Sequence, residues 1–305
     1  MIISASRRTD IPAFYSDWLL GRLRAGYALT RNPMNPAQIS RVPLSPDVVD
    51  CIVFWTKDPL PLLPRLPEID RMGHRYYFQF TLTPYDLALE KNLRDKNAIT
   101  ETFIELSKRY PVLWRYDPII LNDRLNITYH AEQFTRLCEK LCRHTPQVTI
   151  SFVIMYAKLK TPLIRHITES EMVELAGRFA EIAGPYGLPV KACCEKMDLT
   201  PYGIQRARCI DRTTIEALCG CNIAAPQDKN QRPGCGCLAS VDIGVYNTCG
   251  NGCVYCYANH SAGSVAANMR RHNSAGELLL GEITLEEKII TREARSWQEE
   301  QLSLF

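Results

Sequence analysis

Thirteen cysteines, ten of them between Cys193 and Cys256, constrain this 305-residue chain more than any other feature of its sequence. Crowded thiols either oxidise to disulfides or gather around a cation, and the compartment decides which. The first residues, Met1-Ile2-Ile3-Ser4-Ala5-Ser6-Arg7-Arg8, lack the basic-then-apolar order of a secretory leader. No apolar run approaches the ~18 residues that would cross a bilayer. A cytoplasmic, membrane-free protein is therefore expected, and in that reducing setting the cysteines argue for metal. With 36 Lys+Arg against 33 Asp+Glu the net charge is only +3, well short of the basic footprint of a nucleic-acid binder.

Before Cys193 the chain alternates short apolar runs with segments of helical period, the rhythm of βα units and a parallel sheet. Strands are predicted near Ile2–Ser6, Cys51–Trp55, Tyr76–Leu82, Val112–Tyr116, Val148–Met155 and Leu188–Cys193, with a seventh over Val241–Tyr246. His130–His144 places Phe134, Leu137, Cys138, Leu141 and Cys142 on one helical stripe, so Cys138 and Cys142 read as packing, and Cys51 as strand core. A helix opens at Thr168, with Glu171 at capping-box spacing, and stops near Gly184-Pro185. Asn97–Tyr110 and Phe14–Ala25 carry weaker helical patterns. From Cys193 to Tyr257 periodicity fades and Gly, Pro, Asn and Cys accumulate. Ile283–Glu300 is charged and predicted helical, leading to an apolar tail, Leu302-Ser303-Leu304-Phe305, expected to dock on the core.

The sharpest motif is Cys249-Gly250-Asn251-Gly252-Cys253-Val254-Tyr255-Cys256, three cysteines spaced C-x3-C-x2-C. Thiolates at this spacing wrap a compact loop around one centre. A 4Fe-4S cube offers four iron corners, so three cysteines leave one iron open to chemistry. Gly250 and Gly252 suit a loop that needs positive φ and close backbone approach to sulfur. A closed zinc site is the alternative, its fourth ligand supplied by Cys237 or His260.

The spacing, with an aromatic before the last cysteine, resembles the signature of the radical S-adenosylmethionine superfamily. Arg7-Arg8-Thr9-Asp10, Phe54-Trp55-Thr56-Lys57, Trp114-Arg115-Tyr116-Asp117-Pro118, Gln231-Arg232 and Asp242-Ile243-Gly244 together resemble an uncharacterised bacterial family with this C-terminal cluster. Thr56-Lys57, Thr81-Leu82-Thr83 and Glu90 are loosely similar to spore photoproduct lyases. The resemblance implies that Cys249, Cys253 and Cys256 ligate a 4Fe-4S cluster, that S-adenosylmethionine chelates the open iron, and that reductive cleavage gives a 5′-deoxyadenosyl radical. It also implies an external electron donor. Members of the superfamily carry the motif after the first strand, whereas here it lies far toward the C-terminus. A circularly permuted barrel reconciles the two, with Val241–Tyr246 as the motif-bearing strand and Met1–Ser6 beside it. A Gly-Gly-Glu-like sequence for the methionyl amine is missing.

The remaining cysteines suffice for a second centre. Cys193 ends a predicted strand, Cys209 opens a new segment, and Cys235-Gly236-Cys237 forms a Gly-rich turn; the resembling family shares these four positions. Uncompensated thiolates would repel one another, so a cation is expected there, as a second 4Fe-4S cluster or a structural zinc. Cys219-Gly220-Cys221 reads as incidental.

In a parallel barrel, functional groups gather just past the strands. Arg7, Arg8, Asp10, Thr56, Lys57, Thr81, Thr83, Tyr85, Arg115, Asp117, Lys191 and Glu195 occupy such positions. Lys57 and Arg115 are candidate anchors for a cofactor carboxylate or phosphate. Tyr255 is expected to contact and shield the cofactor site, and Arg7 and Asp10 to pair. No Gly-x-Ser-x-Gly, phosphate-loop or His-Glu-x-x-His motif occurs. The chain is thus expected to be α/β, a partial, permuted (βα) TIM-like barrel over residues 1–192, completed by a Cys-rich metal-binding region with a C-terminal helix over residues 193–305. The expected function is a radical S-adenosylmethionine-type enzyme acting on an unknown substrate, with the near-neutral charge favouring a small or neutral one over a nucleic-acid polymer. The alternative is an iron-sulfur or zinc-stabilised protein that binds a partner or transfers electrons without catalysis.

Overall fold

The structure is a computed structural model and describes residues 1–159 and 161–299. Among the described residues eleven strands are formed: β1 (Ile2–Ala5), β2 (Tyr27–Asn32), β3 (Asn35–Pro43), β4 (Cys51–Thr56), β5 (Tyr76–Thr81), β6 (Val112–Ile119), β7 (Val148–Phe152), β8 (Val190–Ala192), β9 (Gln205–Arg206), β10 (Val241–Asp242) and β11 (Lys288–Thr291). Eight of them make one all-parallel sheet in the order β10-β1-β4-β5-β6-β7-β8-β9. The other three form a small sheet, β11-β3-β2. The seven strands predicted from the sequence all lie in the large sheet. The seventh is only two residues long, and it pairs in parallel with β1, Ile3 opposite Val241 and Ser4 opposite Asp242.

The period-2 alternation of β-strands gives the large sheet two different faces. Ile52, Phe54, Phe78, Phe80, Trp114, Tyr116 and Ile150 point to one side and are buried in the main core. There they meet the helices α1 (Ile11–Phe14), α2 (Ser16–Ala25), α3 (Leu66–Arg71), α4 (Lys96–Ser107), α5 (Ile127–Leu141) and α6 (Glu169–Ala183). Phe134 of α5 stacks between Trp114 and Phe179, with ring centroids 5.4 and 4.1 Å away. The capping box of Thr168 and Glu171 is formed at the start of α6. Ile2, Val53, Tyr77 and Leu113 point to the other side and pack in a second core with Cys193, Cys209, Cys235 and Cys237. Further along the same face the residues become polar: Gln79, Arg115 and Thr149 are all buried there.

Several expectations are corrected. Ile283–Glu299 is not helical: its β-branched run Ile289-Ile290-Thr291 pairs in register with Ile39-Ser40-Arg41 at the free edge of β3, which satisfies its backbone groups. The 302–305 tail lies outside the described residues. Cys138 is core, but Cys142 forms the α5 C-cap and is only half-buried. The Cys-rich stretch is less irregular than its composition suggests, since α7 (Arg212–Cys219) is capped by Asp211 and ended by Gly220 at φ 71°. A further helix, α8 (Ala262–Arg271), follows the cysteine loop.

His130 ties β6 to α5. Its Nε2–H donates to the Ile120 carbonyl at 2.8 Å, and its Nδ1 accepts from the Tyr116 hydroxyl at 2.8 Å, so the fully buried ring is neutral. Burial lowers its pKa to about 4. Because the unfolded chain binds this proton near the ordinary value of ~6.5, stability is complete above that pH and falls as pH drops toward 4. Urea unfolding across this window is expected to lose about 3 kcal/mol to this group. His130→Gln should flatten the slope; an unchanged slope would assign the acid sensitivity elsewhere.

Candidate metal centres around one cavity

A cavity of about 490 Å³ opens at the C-terminal ends of the parallel strands. Eight cysteines line it: Cys249, Cys253 and Cys256 from the C-x3-C-x2-C loop, and Cys193, Cys194, Cys209, Cys235 and Cys237 from the preceding region. Of the strand-end residues singled out in the sequence, Arg7, Arg8, Asp10, Thr56, Lys57, Thr81, Arg115 and Asp117 reach its wall, whereas Thr83, Tyr85, Lys191 and Glu195 do not.

The 249–257 loop is held from below by the segment that follows β5. Glu90 and Cys253 form a backbone bridge, the Val254 amide donates to Leu89 O at 2.9 Å, and Asn92 Nδ2 donates to Gly250 O at 2.7 Å. Asn259 Nδ2 donates to Cys249 O at 2.8 Å, and the Tyr257 hydroxyl donates to Arg7 O. Gly252 does take positive φ, at 68°. Gly250 does not; it is needed because a Cβ there would lie 2.8 Å from the Phe14 ring.

Glu90 is fully buried and accepts from Lys57 Nζ at 2.7 Å, Thr83 Oγ1 at 2.9 Å, Lys96 Nζ and the Tyr255 hydroxyl. Burial would raise this carboxyl, but the two lysines overcome it and hold the pKa at about 2. Lys57 Nζ also lies 5.6 Å from the Tyr255 ring centroid. Lys57 is thus committed to Glu90 and positions Tyr255, and it is not a free anion anchor. Tyr255 is buried against Tyr85, centroids 6.1 Å apart. Burial pushes Cys253 up to about 12, with Lys57 opposing, and raises Cys249 further.

Asp10 does not pair with Arg7. It accepts from the Lys57 amide at 2.8 Å and Asn251 Nδ2 at 3.1 Å, joining the ends of β1 and β4 to the cysteine loop, and burial raises it to about 6. Arg115 belongs to the other cysteine group. Its Nη1 lies 2.8 Å from Cys209 Sγ, its Nη2 pairs with Asp117, and its guanidinium sits 5.3 Å from the Trp55 ring. Arg7 lies 4.8 Å from the same ring. Burial works against the Arg115 charge, but Cys209 and Asp117 hold it protonated.

Cys193 Sγ and Cys209 Sγ are 3.4 Å apart. Cys209 also neighbours Cys237, Cys237 neighbours Cys235, and Cys235 neighbours Cys194, which returns to Cys193. The four cysteines expected together are therefore together, and Cys194, which spacing gave no reason to include, closes the ring. Its φ of 55°, uncommon for a residue with a side chain, is the local feature that turns it toward the others. Cys237 neighbours Cys209 and Cys235, and His260 is exposed and lies off the cavity wall. Cys219 and Cys221 face Asp50 O and Gln298 Oε1 instead. Among the described residues, no three His, Cys, Asp or Glu side chains are arranged as a ready single-ion site.

A family model described as a domain of unknown function, DUF1848, matches residues 2–258. The chain belongs to the DUF1848 family. The match takes in the whole large sheet and both cysteine groups. No curated protein and no solved structure matches the chain.

Glu90→Gln would leave Lys57 and Lys96 facing a neutral partner in a buried site, a change expected to cost about 3–5 kcal/mol in urea unfolding. A loss below about 1 kcal/mol would mean that the Lys57–Glu90–Lys96 cluster does not hold the loop.

Proposed function

We propose that this DUF1848 chain is a radical S-adenosylmethionine-type enzyme of the cytoplasm, built on a partial, circularly permuted (βα) barrel. The observation that carries the proposal is the opening of the Cys249, Cys253 and Cys256 loop onto a cavity of about 490 Å³ at the C-terminal edge of a parallel sheet. The pairing of β10 with β1 supports the permutation, because it sets the strand leading into the loop beside the strand that begins the chain.

The donor set fits a 4Fe-4S cluster: three soft thiols on one loop. Cys249, Cys253 and Cys256 would hold it, and with S-adenosylmethionine on the remaining iron it would supply a 5′-deoxyadenosyl radical on reduction by an external donor. The chain's own residues bind, orient and exclude water. Glu90, fixed by Lys57 and Lys96, holds the Tyr255 hydroxyl, and Tyr255 with Tyr85 closes the inner side of the loop. Asp10 and Asn251 fix the loop against β1 and β4. The cavity's volume suits a small-molecule substrate.

A second reading, a metal-stabilised binding or electron-transfer protein, draws on the 3.4 Å between Cys193 and Cys209 sulfurs. Two thiolates on one tetrahedral zinc lie about 3.8 Å apart. Anaerobic reconstitution followed by iron and sulfide counting, then reduction in the presence of S-adenosylmethionine, separates the two. Formation of 5′-deoxyadenosine, abolished by serine at Cys249, Cys253 or Cys256, is expected. Zinc without iron would overturn the enzyme reading, and iron without cofactor cleavage would favour electron transfer.

Because burial keeps Cys249 and Cys253 protonated at neutral pH, loading the first centre should release protons. Iron affinity should therefore rise from pH 6 to pH 8. A pH-independent affinity would show that these two thiols are not ligands.

A further inference from the structure

The second cysteine group holds five thiols, one more than the four protein ligands of a closed tetrahedral ion or a fully ligated four-iron cube. Four of the five differ from the fifth. Cys193, Cys209, Cys235 and Cys237 are 9%, 3%, 8% and 2% exposed, while Cys194 is half-buried. Two of those four sulfurs accept hydrogen bonds from N–H donors. Arg115 Nη1 donates to Cys209 at 2.8 Å and the Ile210 amide donates to Cys237 at 3.4 Å. Donors aimed at sulfur stabilise a thiolate, the form that binds metal. The Arg115 guanidinium, beside this group, offsets part of the negative charge that four thiolates bring together. Among the described residues Cys194 has no such donor; it sits in the left-handed region at φ 55° and lies on the cavity wall.

We propose that Cys193, Cys209, Cys235 and Cys237 ligate a second thiophilic metal centre on the wall of the cavity, leaving Cys194 as a free thiol that faces the cavity. The ligand chemistry is a thiolate-bound soft cation, as a four-iron cluster or a single zinc. The assignment does not depend on the first centre or on S-adenosylmethionine.

The test uses the full chain carrying Cys249→Ser, Cys253→Ser and Cys256→Ser, so that failure of the first centre cannot be mistaken for failure of the second. After anaerobic purification, iron, acid-labile sulfide and zinc are counted per chain. Iron with an equal amount of sulfide identifies a cluster and zinc alone a single ion, and either supports the proposal. Adding Cys194→Ser should leave the metal content unchanged. Adding serine at Cys193, Cys209, Cys235 or Cys237 should abolish it. Iodoacetamide mapped by mass spectrometry should alkylate Cys194 in the metal-loaded chain and reach the other four only after chelation. This protection pattern keeps the proposal testable if a serine variant does not fold. A metal-free chain with all five thiols alkylated, a Cys193–Cys209 disulfide in anaerobic protein, or metal loss on Cys194→Ser would overturn it.

Discussion

A buried, ion-paired carboxylate, Glu90, connects the sheet to the cysteine loop. It accepts from Lys57 just past the end of β4, from Lys96 at the start of α4, and from Tyr255 within the loop. A buried, unpaired carboxylate would be costly. The two ammonium groups offset that cost, and through Tyr255 they also fix where Cys253 stands relative to the strand ends. The loop has no regular secondary structure to hold it in place. Its position follows from this ion cluster, the Asp10–Asn251 contact and the backbone bridge from Glu90 to Cys253.

The large sheet supplies the other half of the arrangement. One face is an apolar surface covered by helices. The opposite face changes character along each strand, from Tyr77 to Gln79 on β5 and from Leu113 to Arg115 on β6, continuing to Asp117. The Cys-rich segment packs on the apolar part of this face, so its thiols come to lie beside the buried cations at the strand ends. Both cysteine groups thereby border one cavity, although they come from opposite sides of β10 in the sequence. Each group has its own cation: Lys57 beside Cys253, and Arg115 on Cys209.

Much of this was legible in the residues. Parallel strands buried on both faces read as apolar runs, and the capping box of Thr168 and Glu171 marks its helix directly. Four of the five ring cysteines were identifiable because Cys193 ends a strand, Cys209 opens a new segment, and Cys235 and Cys237 sit on a Gly-rich turn. Cys194 was not, since adjacent cysteines would point to opposite sides in extended chain and only its positive φ brings it into the ring. The roles of Lys57 and Arg115 were hidden as well. A cation at a strand end looks free until the fold brings it a partner, and Glu90, Asp117 and Cys209 provide those partners. Ile283–Glu299 read as a charged helix because the edge of β3, which takes up its β-branched residues as a strand, is far away in the sequence.

The sequence by itself determined the local quantities: the period of the seven predicted strands and of the Thr168 helix, the three-cysteine spacing, and the crowding of thiols after Cys193. These depend on neighbours a few residues apart, where backbone geometry alone sets which side chains meet. The tertiary structure decided that the two cysteine groups face one cavity, that Cys194 belongs with Cys193, Cys209, Cys235 and Cys237, and that Lys57 and Arg115 are already paired. Those outcomes come from contacts between residues far apart in the chain, such as Lys57 with Glu90 and Arg115 with Cys209, and only burial in a common interior makes their charges answer to one another.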